Sequence, residues 1–341
     1  MSSKTRGLLL LVFITSFVSC HSTPASHLHT QHHHGSEREE DGGFSPRNSH
    51  HYDDDGGHHS EFDHEAILGS VKDAEEFDQL EPEEAKKRLR ILLLKMDLNS
   101  DELIERNELH AWILRSFKML SEEESQDRFE DADENEDGKV TWKEYLSDSY
   151  GLQDENGQVI EEDEDEENLD VRSDNSKLIQ DDKIMFEAAD RNKDGVLDNS
   201  EFVLFTHPEE HPEMLPLVLQ QTLTDKDTDK DGFISFQEFI GDQGKKHDKE
   251  WLISEKEKFD HEYDKDGDGR LNGPEILSWI VPSNDEIAEE EVSHLFASSD
   301  DNEDGVLSFQ EILDHHQTFV GSEATDYGDH LHNIHVFQDE L

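Results

Sequence analysis

One twelve-residue pattern recurs six times along the chain, and it constrains the fold more than any other feature. Each copy carries oxygen-bearing side chains at positions 1, 3, 5, 9 and 12 and an aliphatic residue at position 8, and five of the six carry glycine at position 6. The spacing has a mechanical basis. Ca2+ takes six to eight oxygens at about 2.3–2.6 Å, and a tight loop supplies them from short side chains, one main-chain carbonyl at position 7 and a bidentate glutamate at position 12. Glycine at position 6 permits the sharp turn.

The second copy fits at every position: Asp133, Asn135, Asp137, Gly138, Lys139, Val140, Thr141 and Glu144, with Lys139 offering only its carbonyl and Val140 facing a core. The third has Asp190, Asn192, Asp194, Gly195, Val196, Leu197, Asp198 and Glu201, and the fourth has Asp227, Asp229, Asp231, Gly232, Phe233, Ile234, Ser235 and Glu238. The fifth has Asp264, Asp266, Asp268, Gly269, Arg270, Leu271, Asn272 and Glu275, and the sixth has Asp300, Asn302, Asp304, Gly305, Val306, Leu307, Ser308 and Glu311. Pro274, at position 11 of the fifth, falls near the start of the exiting helix, where proline is tolerated. The first copy departs. Asp97, Asn99, Asp101, Leu103, Ile104, Glu105 and Glu108 keep the ligand chemistry, but Glu102 replaces glycine, and a side chain at positive φ costs on the order of 1–2 kcal/mol. A weak or empty first site is expected. Acidic chains produce Asp-x-Asp by accident; five complete copies and a partial one are not such accidents. They are EF-hand loops, and the expected fold is all-α, six helix-loop-helix hands in three pairs with short β contacts between paired loops.

The first residues of successive loops lie 36, 57, 37, 37 and 36 positions apart. A lone hand cannot bury its apolar face, so hands fold in pairs joined at position 8. The spacing predicts Ile104 with Val140, Leu197 with Ile234, and Leu271 with Leu307. Leu89, Leu92, Leu93 and Met96 before the first loop, and Trp112, Ile113 and Phe117 after it, recur at helical spacing and read as core.

Over its whole length the chain carries 87 acidic residues against 30 basic, a net charge of -57, which repels nucleic-acid phosphates and anionic lipid. Lys4 and Arg6 precede an apolar run from Gly7 to Val18, too short to span a membrane and shaped like a signal peptide, with a cut after Cys20 that removes the chain's single cysteine. Phe17 to Cys20 also bears a faint likeness to a bacterial lipoprotein box, against which the far end argues. That end, Gln338-Asp339-Glu340-Leu341, is close to an endoplasmic reticulum retrieval signal, with glutamine leaving room for leakage. The organisation expected is a signal peptide at 1–20, a histidine-rich disordered leader at 21–65, hands one and two at 66–152, an acidic linker at 153–178, hands three and four at 179–246, hands five and six at 247–320, and a tail at 321–341. The linker contains Glu161 to Glu167, a solvated charge run whose functional rival is a low-affinity cation sponge. Half of the 22 histidines fall between His21 and His64, among them His32-His33-His34, His50-His51 and His58-His59. Such tracts can bind Zn2+ or Cu2+, but no local spacing makes a preformed tetrahedral site, and none of these histidines is read as a ligand.

Segments outside the loops carry a family likeness: Phe62-Asp63-His64-Glu65-Ala66-Ile67-Leu68-Gly69, His207-Pro208-Glu209-Glu210, Trp279-Ile280-Val281-Pro282 and Ser322-Glu323-Ala324-Thr325-Asp326-Tyr327-Gly328. On these, from about residue 62 onward, the chain resembles the reticulocalbins and calumenins. By Val140-Thr141-Trp142 and Ala324 to Gly328 it is most similar to the second reticulocalbin paralogue. The resemblance implies low-affinity luminal Ca2+ binding, compaction on binding calcium, and association with client or resident proteins. The histidine leader, Glu102 and Gln338 depart from the family pattern.

Three classes of function compete. A luminal Ca2+ buffer with chaperone-like binding accounts for the crowded loop carboxylates, whose repulsion couples metal binding to folding. A Ca2+-sensing adaptor favours a Met-rich groove, and only Met96, Met119, Met185 and Met214 remain beyond the signal segment. A secreted protein binding Ca2+ and transition metals would use the histidines. No nucleophile elbow or phosphate-binding glycine loop supports an enzyme.

Overall fold

A computed structural model describes residues 43–49, 51–52, 57–151 and 169–321, with side chains from residue 177 in the last segment. The apolar run Gly7–Val18 and the cut at Cys20, the histidines from His21 to His34, the run Glu161–Glu167, the segment Ser322–Gly328 and the terminal Gln338–Leu341 lie outside the described residues.

Three helices open the described chain: α1 (Ser60–Leu68), α2 (Val71–Asp78) and α3 (Pro82–Met96). The first hand continues through β1 (Leu103–Ile104) into α4 (Arg106–Ala132), and the second through β2 (Val140–Thr141) into α5 (Trp142–Tyr150). The third comprises α6 (Leu169–Ala189), β3 (Val196–Leu197) and α7 (Asn199–Thr206), followed by a 3-10 turn at Pro208–Glu210. The fourth comprises α8 (Leu215–Lys226), β4 (Ile234–Ser235) and α9 (Phe236–Ile240). In the fifth, α10 (Lys249–Lys258) ends in a π turn at Phe259–Tyr263 before β5 (Arg270–Leu271) and α11 (Gly273–Ile280). The sixth is α12 (Asn284–Ser299), β6 (Leu307–Ser308) and α13 (Phe309–Asp314), with α14 (His316–Val320) behind it. The described part is therefore all-α apart from six two-residue strands. No helix among the described residues is long and apolar enough to cross a membrane.

The strands pair in an order that the loop spacing does not predict. Ile104 lies opposite Leu307, Val140 opposite Leu197, and Ile234 opposite Leu271, all antiparallel. Hands one and six, two and three, and four and five are the partners; the expected one-two, three-four and five-six pairing is corrected. The reason lies in α4. It serves both as the exiting helix of hand one and as the entering helix of hand two, and its 27 residues form a rod about 40 Å long. Loops one and two sit at its two ends and cannot reach strand-pairing distance, about 5 Å. Chain separation is a weak obstacle by comparison. Closing a loop of 203 residues rather than 36 costs only about 1.5 kcal/mol more in entropy, against about 1.5–3 kcal/mol for burying each of Ile104 and Leu307, both fully inaccessible.

Two cores follow from this pairing. Ile67, Leu89, Leu93, Ile104, Leu109, Ile113 and Phe117 join Val292, Leu295, Phe296, Leu307 and Phe319 in one; Phe129, Val140, Phe186, Leu197, Phe202, Val218, Ile234, Phe259, Leu271 and Ile276 make the other. Helix α4 feeds both, Leu109 to Phe117 into the first and Phe129 and Ala132 into the second.

Among the described residues, the family-like segments around Phe62–Gly69 and Trp279 are packing devices. Gly69 ends α1 at φ +69°, and a β-carbon there would lie 3.1 Å from the Cα of Ser116 on α4, so both the turn and the close approach demand glycine. One turn earlier, the Trp112 indole N–H donates to the Ile67 carbonyl at 2.7 Å. His64 contacts the Gln317 carbonyl at 2.8 Å, tying α1 to α14. Trp279 packs on Phe239, ring centroids 4.8 Å apart.

Two boundaries also move. The leader, expected to be disordered to residue 65, is already packed from Gly43: Phe44 is buried in the second core and its N–H donates to the Ile280 carbonyl at 2.8 Å, and α1 begins at Ser60. The acidic linker, expected to run to 178, gives way to α6 at Leu169.

Candidate metal centres

Each loop begins where a helix stops. Asp97, Asp133, Asp227, Asp264 and Asp300 are C-cap residues of the entering segments, and the Asp190 N–H likewise bonds back to the Phe186 carbonyl. The position-1 carboxylate then organises the turn. In every loop its Oδ2 accepts the N–H of position 6, from Glu102, Gly138, Gly195, Gly232, Gly269 and Gly305, at 2.8–3.0 Å. Its Oδ1 accepts the N–H of position 5, from Asp101, Asp137, Asp194, Asp231, Asp268 and Asp304, at 3.1–3.2 Å. The position-5 aspartates in turn accept the N–H of Leu103, Val196, Phe233, Arg270 and Val306.

Glu102 takes the glycine conformation, as its place in the loop predicts, with φ +63° against +78° to +86° for the five glycines. A β-carbon at those glycines meets nothing within 4 Å, so the cost at Glu102 is conformational and not steric. Position 4 shares the left-handed region in all six loops, at Ser100, Glu136, Lys193, Lys230, Gly267 and Glu303. That requirement left no sequence signal, because glycine fills position 4 once.

The position-12 glutamates have two structural roles. One oxygen of each accepts the position-9 N–H, at 2.8–3.2 Å, while position 9 receives or frames the N–H of position 12. This reciprocal capping box starts all six exiting helices, at Glu105/Glu108, Thr141/Glu144, Asp198/Glu201, Ser235/Glu238, Asn272/Glu275 and Ser308/Glu311. The other oxygen reaches across the loop. Glu108, Glu201, Glu238 and Glu275 accept N–H groups of positions 2 and 3, whereas Glu144 and Glu311 accept the side-chain amides of Asn135 and Asn302. At Glu238 partial burial works against ionisation, but hydrogen bonds from Ser235 and Thr228 outweigh it and hold the carboxyl down at about 2. Pro274 falls in the first turn of α11, as expected.

Carboxylate oxygens of Asp227, Asp229 and Glu238 lie within 4.8 Å of one another, as do those of Asp264, Asp266 and Glu275, in the two loops that pair. Like charges this close fit a hard divalent cation with oxygen ligands. The models of the EF-hand domain pair match residues 106–152, 179–242 and 256–315. Reticulocalbin-2 of Mus musculus is 41% identical over 288 residues, 83% of this chain and 88% of that protein. The chain belongs to the reticulocalbin family.

Two further reticulocalbins give the same picture: reticulocalbin-2 of Crotalus adamanteus at 38% identity (82% of this chain, 92% of that protein) and of Rattus norvegicus at 40% (83% and 88%). As a member of the reticulocalbin family with EF-hands, this is a calcium-binding protein. Its paired loops also touch through side chains that loop-by-loop reading missed. The Lys139 ammonium, at position 7 of loop two, lies 2.9 Å from Asp194 Oδ2, at position 5 of loop three. Arg270, at position 7 of loop five, lies 3.3 Å from Asp231 Oδ2, at position 5 of loop four. Basic residues at position 7, noted in the sequence only as carbonyl donors, are the signal that could have revealed the true pairs.

Proposed function

We propose that this reticulocalbin is a low-affinity Ca2+ buffer of the endoplasmic reticulum lumen, folding around its metal and holding client or resident proteins in its loaded form. The observation that carries the reading is the sixfold repetition of one loop geometry in a chain of net charge -57. Side-chain ligands would come from positions 1, 3, 5 and 12: Asp97, Asn99, Asp101 and Glu108; Asp133, Asn135, Asp137 and Glu144; Asp190, Asn192, Asp194 and Glu201; Asp227, Asp229, Asp231 and Glu238; Asp264, Asp266, Asp268 and Glu275; Asp300, Asn302, Asp304 and Glu311. Leu103, Lys139, Val196, Phe233, Arg270 and Val306 would each add a carbonyl. The first loop is the weakest because Glu102 stores backbone strain. With no ion bound, carboxylates packed within each loop repel, so loading and folding are one equilibrium. Dissociation constants of roughly 10⁻⁴–10⁻³ M suit a compartment rich in calcium.

Luminal residence rests on the apolar run Gly7–Val18 and on Gln338-Asp339-Glu340-Leu341, and glutamine at the first position predicts partial escape. The transition-metal reading of the leader narrows to the histidines that the fold gathers, His51 and His58. The deciding experiment is a calcium titration of the chain without residues 1–20, by calorimetry and circular dichroism, with Mg2+ as control. Five or six weakly bound ions with rising helicity support the buffer. Two or fewer, or tight sites without structural change, overturn it. Secretion unaffected by deletion of the last four residues would remove the luminal assignment alone.

A further inference from the structure

A second kind of site is assembled away from the calcium loops. The backbone of Tyr52 bridges that of His58, and the His59 N–H donates to the His51 carbonyl at 2.9 Å, so His51 and His58 stand side by side. Their Nε2 atoms are 3.1 Å apart. Both face Asp63 in the first turn of α1: His51 Nε2 lies 2.8 Å from its Oδ1 and His58 Nε2 lies 3.1 Å from its Oδ2. From α12, on the sixth hand, His294 brings its Nε2 to 3.4 Å from the same Oδ2.

His51 and His58 share a hydrogen bond between their Nε2 atoms, but the three contacts with Asp63 do not have the angles of hydrogen bonds. The Asp63 side chain is fully buried, yet neither of its oxygens has a hydrogen-bond partner, nor does His294 Nε2. Four ligand atoms instead converge within 4.8 Å of one another. A tetrahedral zinc ion with bonds of about 2.0–2.2 Å places neighbouring ligand atoms about 3.3–3.6 Å apart, which the contacts approach. Glu291, one turn before His294 on α12, is equally buried, has no hydrogen-bond partner for either oxygen, and lies 3.9 Å from His51 Nε2. Neither carboxylate has a lysine or arginine ion pair among the described residues. Two buried carboxylates without a cation carry a desolvation penalty of several kcal/mol each unless protonated. One divalent ion cancels both charges, and three imidazoles favour a borderline metal over Ca2+, which takes oxygen.

We propose that His51, His58, Asp63 and His294 form a closed zinc site that fastens the N-terminal hairpin to the core of hands one and six. Four protein ligands leave no open position, so the site is structural. Glu291 supplies the balancing charge beside it.

The test uses the chain without residues 1–20 in saturating Ca2+, titrated with Co2+ followed by visible absorption, then with Zn2+ against a chromophoric chelator. The expected result is one Co2+ with the intense bands of tetrahedral coordination, displaced by one Zn2+. His294→Ala and, separately, His58→Ala are expected to weaken Zn2+ by about 100-fold or more, beyond the 10–100-fold typical of outer-sphere partners. The variant with alanine at His32, His33 and His34 retains the site. His58 is a third exposed, so its variant keeps the fold, checked by unchanged circular dichroism with Ca2+. Weak octahedral bands, undiminished Zn2+ binding in both single variants, or loss of binding in the triplet variant would each overturn the proposal. The calcium titration is read independently, so neither result decides the other.

Discussion

Ile104 packs against Leu307 across a two-residue antiparallel contact, joining the first calcium loop to the sixth. The two residues are 203 positions apart, and both are fully buried. The pair closes the order of hands, since two with three and four with five leave hands one and six for each other. Truncating either residue to alanine is expected to cost about 2–4 kcal/mol. In denaturant unfolding with Ca2+ present, Ile104→Ala and Leu307→Ala should be non-additive by about 0.5 kcal/mol or more, while Ile104→Ala and Val140→Ala should add. The reverse pattern would restore the pairing of neighbours in sequence.

Glu102 is the residue to replace in order to improve the first loop. Glu102→Gly relieves a left-handed side chain where space is otherwise open. About 1 kcal/mol of stability should be gained, with a roughly fivefold tighter first site in calorimetry. No change would mean that neighbouring contacts already absorb the strain.

Between loops two and three, the Lys139 ammonium pairs with Asp194, where it would compete with a calcium ion in the third loop. Its ammonium holds the Asp194 carboxyl below the ordinary range, chiefly through their hydrogen bond. Lys139→Gln should tighten the third site by about twofold at low ionic strength, with the gain fading as salt rises. A gain that persists in high salt would point to a cause other than charge.

The tie at Glu210 makes stability depend on acid. Glu210 accepts hydrogen bonds from Arg47, from Ser121 on α4 at 2.7 Å and from Asn284 at the start of α12 at 3.0 Å. Burial pushes its carboxyl up, but the Arg47 guanidinium and these donors outweigh it, and the net shift is downward. A lowered folded value means that this stabilisation is complete above the unfolded value, about 4.3, and is lost as pH falls through the folded value. Glu210→Gln should cost about 2 kcal/mol at neutral pH and flatten the unfolding profile below pH 4.3. A variant with the same acid profile as the parent would show that other carboxylates set it.

The loops themselves were legible in the linear chain. Asp97, Asp133, Asp190, Asp227, Asp264 and Asp300 start turns whose hydrogen bonds all lie within twelve residues, so residue type and spacing specify them locally. The strain at Glu102 was legible for the same reason, since position 6 needs a left-handed backbone whatever surrounds it. The capping boxes were written there too, in runs such as Thr141-x-x-Glu144 and Ser308-x-x-Glu311.

What the sequence by itself determined is therefore the hand: its loop, its helix start, and the aliphatic residue that must meet another. Which hand it meets was decided by tertiary structure. Helix α4 is continuous from Arg106 to Ala132, and its rigidity holds loops one and two apart while its two ends enter different cores. Nor could spacing reveal the grouping of His51, His58 and Asp63 with His294, because those ligands come from a hairpin, the start of α1 and the sixth hand. Local hydrogen bonds act over a few residues and can be read in order; burial acts over distance in space, and only the folded chain sets that distance.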